Sequence, residues 1–173
     1  MFRFILFIIC SFTYIPVYAI TTANIKVSAT IQKGCIFKES SVALDFGSYP
    51  TSSQEKNVTA SILNDRNTWS LECTPDIPVS IVFGNGNNFD NTNQTRRLRN
   101  ESGGFFIDYQ IYSDINRSKV IGISSPSNTL FLKSNTSKNI LDFGVYGLVD
   151  LSKGKPNKPS GKYLDEVLIT VIW

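Results

Sequence analysis

The decapeptide Ala-Asn-Ile-Lys-Val-Ser-Ala-Thr-Ile-Gln, residues 23–32, alternates apolar and polar side chains without a break. In an extended chain Ala23, Ile25, Val27, Ala29 and Ile31 point to one side, and Asn24, Lys26, Ser28, Thr30 and Gln32 to the other. This is a β-strand with one dry face, and a dry face requires a core. The rest of the chain decides whose core that is.

Upstream of it, Arg3 precedes the apolar run of residues 4–10, and Val17-Tyr18-Ala19 places a β-branched residue and a small residue at positions −3 and −1 of a cleavage site. Residues 1–19 therefore read as a secretory signal peptide, with the mature chain starting near Ile20. A membrane anchor fits less well, because Ser11, Thr13 and Pro16 interrupt the run and no basic flank follows. No later segment has the apolar length of a transmembrane helix, so the expectation is an exported chain with no membrane span after cleavage.

About 154 residues remain (173 minus 19), the size of one domain with a sizeable core. Without Arg3 the mature chain carries sixteen Lys+Arg against fourteen Asp+Glu, a net charge of about +2 that is too small and too scattered for a nucleic-acid partner. Cys10 leaves with the signal peptide, which leaves Cys35 and Cys73. In an exported chain such a pair reads as a disulfide. Closing its 38-residue loop (73 minus 35) is worth on the order of 4 kcal/mol in the chain-entropy account. The alternative of a two-thiol metal or redox site lacks support, since the chain has no His and no Cys-x-x-Cys spacing.

Beyond Cys35 the period of two persists. Val42, Leu44 and Phe46 alternate, as do Val58, Ala60 and Ile62, then Trp69, Leu71 and Cys73, then Val79, Ile81 and Phe83. Clusters of Gly, Pro, Ser, Asn and Asp separate them. Residues 84–95, rich in Gly and Asn, are expected as an exposed loop. Residues 105–112 carry apolar side chains on both faces, the mark of a central strand, and 120–123, 130–132 and 140–149 are further strands. Residues 153–160 form a Lys/Pro loop, and residues 163–173 form a last strand buried in a sheet interior. About nine short strands, no helix and one disulfide give an all-β, immunoglobulin-like sandwich.

Enzymatic chemistry finds no foothold. Ser-His and Cys-His catalysis are excluded without a His. Asp165 and Glu166 are adjacent in a strand and face opposite ways, so they cannot flank one bond. Gly84-Asn85-Gly86 lacks the rest of a phosphate-cradling loop, and the loop around Asp90 lacks the carboxylate spacing of a calcium site. Arg96, Arg97 and Arg99 read as a solvated strand edge whose charges deter edge pairing. The expectation is a non-enzyme without cofactor or metal.

Taken in order, Gly34-Cys35-Ile36, Phe46-Gly47, Leu71-Glu72-Cys73, Arg96-Arg97-Leu98-Arg99-Asn100, Tyr109-Gln110-Ile111-Tyr112 with Asp114, Tyr146-Gly147-Leu148-Val149, and Gly161-Lys162-Tyr163-Leu164-Asp165 form a recognisable series. Together they resemble the spore coat protein U domain family, which includes the pilin subunits of archaic chaperone-usher pili. The resemblance covers the mature chain. It implies an incomplete immunoglobulin-like β-sandwich over residues 34–173, with residues 20–33 as an N-terminal donor strand. It further implies a periplasmic pilus chaperone, an outer-membrane usher and neighbouring pilin subunits as partners. The product is then a structural pilus subunit at the cell surface, supporting adhesion or biofilm formation, which polymerises by donor-strand exchange. Ala23, Ile25, Val27, Ala29 and Ile31 become the donor contacts. Val167, Ile169, Val171 and Trp173 become the strand that touches the chaperone or a neighbour. The chain departs from a main stalk pilin in its richness in Asn, Ser and Lys and in the Lys/Pro loop. A self-complemented secreted glycan-binding module, or a coat protein assembled without an usher, is the alternative.

Overall fold

The computed structural model describes residues 21–65, 69–135 and 139–173. The signal-peptide reading of residues 1–19 lies outside them. The chain divides into two compact units between Ile31 and Gln32. In the first, residues 21–31 carry no strand and are exposed throughout.

The second unit contains ten strands, and no helix occurs among the described residues. They are β1 (Cys35–Phe37), β2 (Val58–Leu63), β3 (Leu71–Cys73), β4 (Pro78–Phe83) and β5 (Arg96–Asn100), followed by β6 (Phe106–Tyr112), β7 (Thr129–Lys133), β8 (Gly144–Val149), β9 (Tyr163–Leu164) and β10 (Ile169–Ile172). Five of them form a sheet in the order β2-β8-β6-β5-β9, three form a sheet β10-β4-β7, and β1 pairs with β3. All of these ladders are antiparallel. One core lies between the sheets: Val79, Ile81 and Phe83 of β4 enter it from one side, and Tyr109 and Ile111 of β6 with Val145 and Val149 of β8 enter from the other. Period two thus becomes burial, since every second residue of β4 is buried. Outside this cluster, Trp69 stacks on Phe37 with ring centroids 5.2 Å apart and meets Phe143 edge-on at 5.7 Å.

The expected central strand is β6, third of five in its sheet. The disulfide joins Cys35 to Cys73, residues that stand directly opposite each other in the β1–β3 register. Four expectations about strands and loops need correction here. Residues 42–46 do not join a ladder, although Leu44 and Phe46 still pack on the core. Residues 120–123 offer only a bridge from Val120 to Tyr112, with Ile121 buried behind it. The loop 84–95 is mostly half-buried and not freely exposed, because its main chain binds Glu166 and Leu168. The last segment is two strands: β9 pairs with β5 in the larger sheet, and β10 pairs with β4 in the smaller one. Asp165 turns inward between them, so the chain crosses from one sheet to the other, and β10 is an edge strand, not an interior one.

Candidate functional site

The site is built on β10 and the one neighbour it has. On β4 the Phe83 N–H points to β7, donating to the Asn128 carbonyl at 2.9 Å, while the Gly84 N–H donates to the Leu168 carbonyl at 2.9 Å. Antiparallel pairing alternates, so the even residues of β4 serve β10, whose Thr170 stands opposite Val82 and Ile172 opposite Ser80. The N–H and C=O groups of Ile169 and Val171 therefore face away from β4, along an edge that no other strand of the described residues occupies. Val167, Ile169 and Val171 turn half-buried side chains onto the core. Leu168 and Ile172 lie on the outer face, 74% and 55% exposed. An edge with unpaired main chain and apolar side chains is a ready template for another strand.

The far end of this edge meets β1, which likewise has one ladder neighbour. Gly34, just ahead of β1, is held by its N–H to Thr74 Oγ1 at 3.0 Å, and its carbonyl accepts from Thr74 N–H at 2.8 Å. A Cβ built on Gly34 stands 3.4 Å from Nε1 of Trp173, a residue that is 58% exposed. The disulfide fixes the next residue, Cys35, to β3. Of the four C-terminal residues singled out from sequence, three line the core side of the edge and Trp173 closes its end. The residues expected from sequence as donor contacts sit in the other unit, with Ile25, Val27 and Ile31 at 87%, 91% and 97% exposure.

The entry to β10 is fixed by a half-buried polar cluster that sequence reading missed. The Tyr109 hydroxyl donates to Asp165 Oδ2 at 2.6 Å, and the N–H and Nδ2 of Asn88 donate to Asp165 Oδ1 at 3.0 and 3.1 Å. Gly86, at φ +86°, gives the carboxylate room: a Cβ there would lie 2.1 Å from Oδ2. Arg96 is 3% exposed, against the expectation of a solvated edge. Its guanidinium donates to the carbonyls of Gly84, Ile121 and Gly122 at 2.7–3.1 Å. Burial lowers the pKa of Arg96, opposed by Tyr109 and Asp165. Burial also raises the pKa of Tyr109, reinforced by its bond to Asp165. The signal was legible: in β5, Arg96 shares a face with Leu98, and Leu98 packs on the core. Arg97 instead pairs with Asp90 at 2.9 Å and lies over the Phe106 ring at 4.3 Å.

None of this is catalytic geometry. Among the described residues no group of three or more His, Cys, Asp or Glu side chains is placed to hold a metal, and no helix is long and apolar enough to cross a membrane. The site offers hydrogen bonds along an edge and apolar surface beside it.

Comparison with known proteins agrees with that architecture. No curated protein matches the chain. Among solved structures it is similar to a chain of the chaperone-tip adhesion subunit pre-assembly complex, CsuC-CsuE, from archaic chaperone-usher Csu pili of Acinetobacter baumannii, with a TM-score of 0.50 and 16% identity. The match covers 83% of this chain and 41% of the other, so this protein spans less than half the length of that relative. At that identity the likeness establishes a common fold, an immunoglobulin-like sandwich. The Spore Coat Protein U domain model matches residues 21–170, and the chain belongs to that family.

Proposed function

We propose that the protein is a structural subunit of a chaperone-usher pilus and that it polymerises by donor-strand exchange. The observation that carries this reading is the open edge of β10, where Ile169 and Val171 present unpaired main chain beside half-buried side chains. Residues 20–33 of a neighbouring subunit supply the complement, with Ala23, Ile25, Val27, Ala29 and Ile31 entering between β1 and β10. Burying Ile25, Val27 and Ile31 contributes about 1.5 to 3 kcal/mol each, and the new ladder adds main-chain hydrogen bonds. Because donor and acceptor are different surfaces, the contact repeats head to tail and builds a filament.

The family is one of structural subunits, not enzymes. In the same reading a periplasmic chaperone covers the edge until an outer-membrane usher passes the subunit to the growing fibre, and the surface pilus supports adhesion or biofilm formation. Residues 1–19 direct export. Deleting residues 20–32 tests the proposal: the variant still binds its chaperone but cannot follow another subunit, and the detergent-resistant ladder on an unboiled gel is lost. Normal fibres assembled by the deletion variant contradict it.

A further inference from the structure

Between β1 and β2 runs a strap whose side chains are placed like those of a strand and whose main chain is not. Residues 39–49 make no hydrogen bond to another main-chain group among the described residues. The strap is fastened at its ends, where Lys38 N–H donates to the Ser70 carbonyl at 3.0 Å and the Thr51 carbonyl accepts from Lys158 N–H at 2.9 Å. In between, Leu44 and Phe46 reach the core as half-buried pegs while Ala43 and Asp45 stay exposed. Their seat is Gly147 of β8, the strand position between Ala60 and Ile111. A Cβ on Gly147 would lie 2.6 Å from the Phe46 ring and 2.9 Å from Leu44. Phe46 also meets Tyr109, ring centroids 6.5 Å apart, and Tyr109 holds Asp165 just ahead of β10. Through Tyr109 and Asp165 the pegs are linked to the chain just ahead of β10.

We propose that residues 42–46 are a resident plug. Leu44 and Phe46 keep the incomplete core dry in the free subunit, and they withdraw when a donor strand enters. The inference rests on the donor-strand reading above. Only side-chain contact holds the plug, whereas a donor brings apolar side chains together with a ladder of hydrogen bonds, so the donor displaces it. The chain between Lys38 and Thr51 supplies the slack.

The test uses the full exported chain under dilute conditions and, as probe, a fluorescent synthetic peptide of residues 21–33, with capture followed by anisotropy. Phe46→Ala removes a peg and raises the capture rate several-fold over wild type. Gly147→Ala keeps Phe46 but denies it its seat, and it raises the rate as well. An unchanged or slower rate in both variants, with the wild type still capturing peptide, makes Phe46 a fixed wall and overturns the plug. Should Phe46→Ala fail to fold, Gly147→Ala decides alone. A wild-type chain that captures no peptide overturns the donor-strand reading, and the plug falls with it.

Discussion

The indole of Trp173 lies against Gly34, so the end of β10 and the approach to β1 meet at one contact, with Nε1 3.4 Å from the position of a Gly34 Cβ. That distance is ordinary van der Waals contact. Gly34→Ala should therefore change stability by less than about 0.5 kcal/mol. Gly34→Leu, whose branch needs the space of the ring, should lift the indole into water. In a Trp69→Phe background, a red shift and easier acrylamide quenching of Trp173 emission report that lift, and identical spectra for the two variants contradict the contact.

Tyr109→Phe removes the hydroxyl that donates to Asp165 at 2.6 Å and leaves Asn88 as that carboxylate's remaining partner. Losing a half-buried hydrogen bond to a carboxylate costs roughly 1 to 3 kcal/mol, read from the urea midpoint. The pH dependence has a definite sign. Burial, then the bond to Asp165, holds the Tyr109 pKa above its ordinary value. The unfolded chain therefore releases this proton first. The stabilisation is complete below about pH 10 and is lost as pH rises further toward the folded-state pKa. Tyr109→Phe should be less stable at neutral pH and should show a shallower alkaline loss.

Gly86→Ala attacks the same cluster through the backbone. The residue has φ +86°, and the new Cβ would lie 2.1 Å from Asp165 Oδ2. Strain and collision together should cost about 2 kcal/mol or more. Thermal unfolding measures it, and a melting point unchanged from wild type removes Gly86 from the cluster.

Asp90 is one of the carboxylates that shape the acid limb. Its carboxylate accepts the N–H of Thr92 at 2.9 Å and of Asn93 at 3.3 Å, besides the Arg97 ion pair. The Thr92 bond, then the Asn93 bond, holds its pKa below the ordinary 3.8. A depressed carboxylate contributes stability that is present above its unfolded pKa and lost as pH falls through the folded one. Between pH 5 and pH 2.5, roughly the interval around the ordinary Asp value, the wild-type melting point should fall more steeply than that of Asp90→Asn.

Much of the sandwich was legible because burial follows the period of two. Val79, Ile81 and Phe83 alternate in sequence and are 2%, 0% and 1% exposed in the fold. Cys35 and Cys73 were the only cysteines left after residue 19. What stayed hidden depends on partners far along the chain. Asp165 interrupts residues 163–173 because Tyr109 and Asn88 wait for it, and no local pattern announces that turn. Arg96 carries a charge, and charge outweighed its position on the apolar face of β5, although three carbonyls are arranged to receive it. The alternation of Val42, Leu44 and Phe46 predicts a paired strand; their side chains follow the pattern, but the pattern does not say whether a backbone partner exists.

The central claim is that β10 lacks a partner on its outer side, and hydrogen exchange at single amides of β10 tests it most directly. The amides of Thr170 and Ile172 face β4, while those of Ile169 and Val171 face the open edge. In the free subunit the first pair should be protected and the second should exchange rapidly. In assembled fibres all four should be protected. Fibres in which Ile169 and Val171 exchange as fast as in the free subunit would contradict donor-strand completion at this edge.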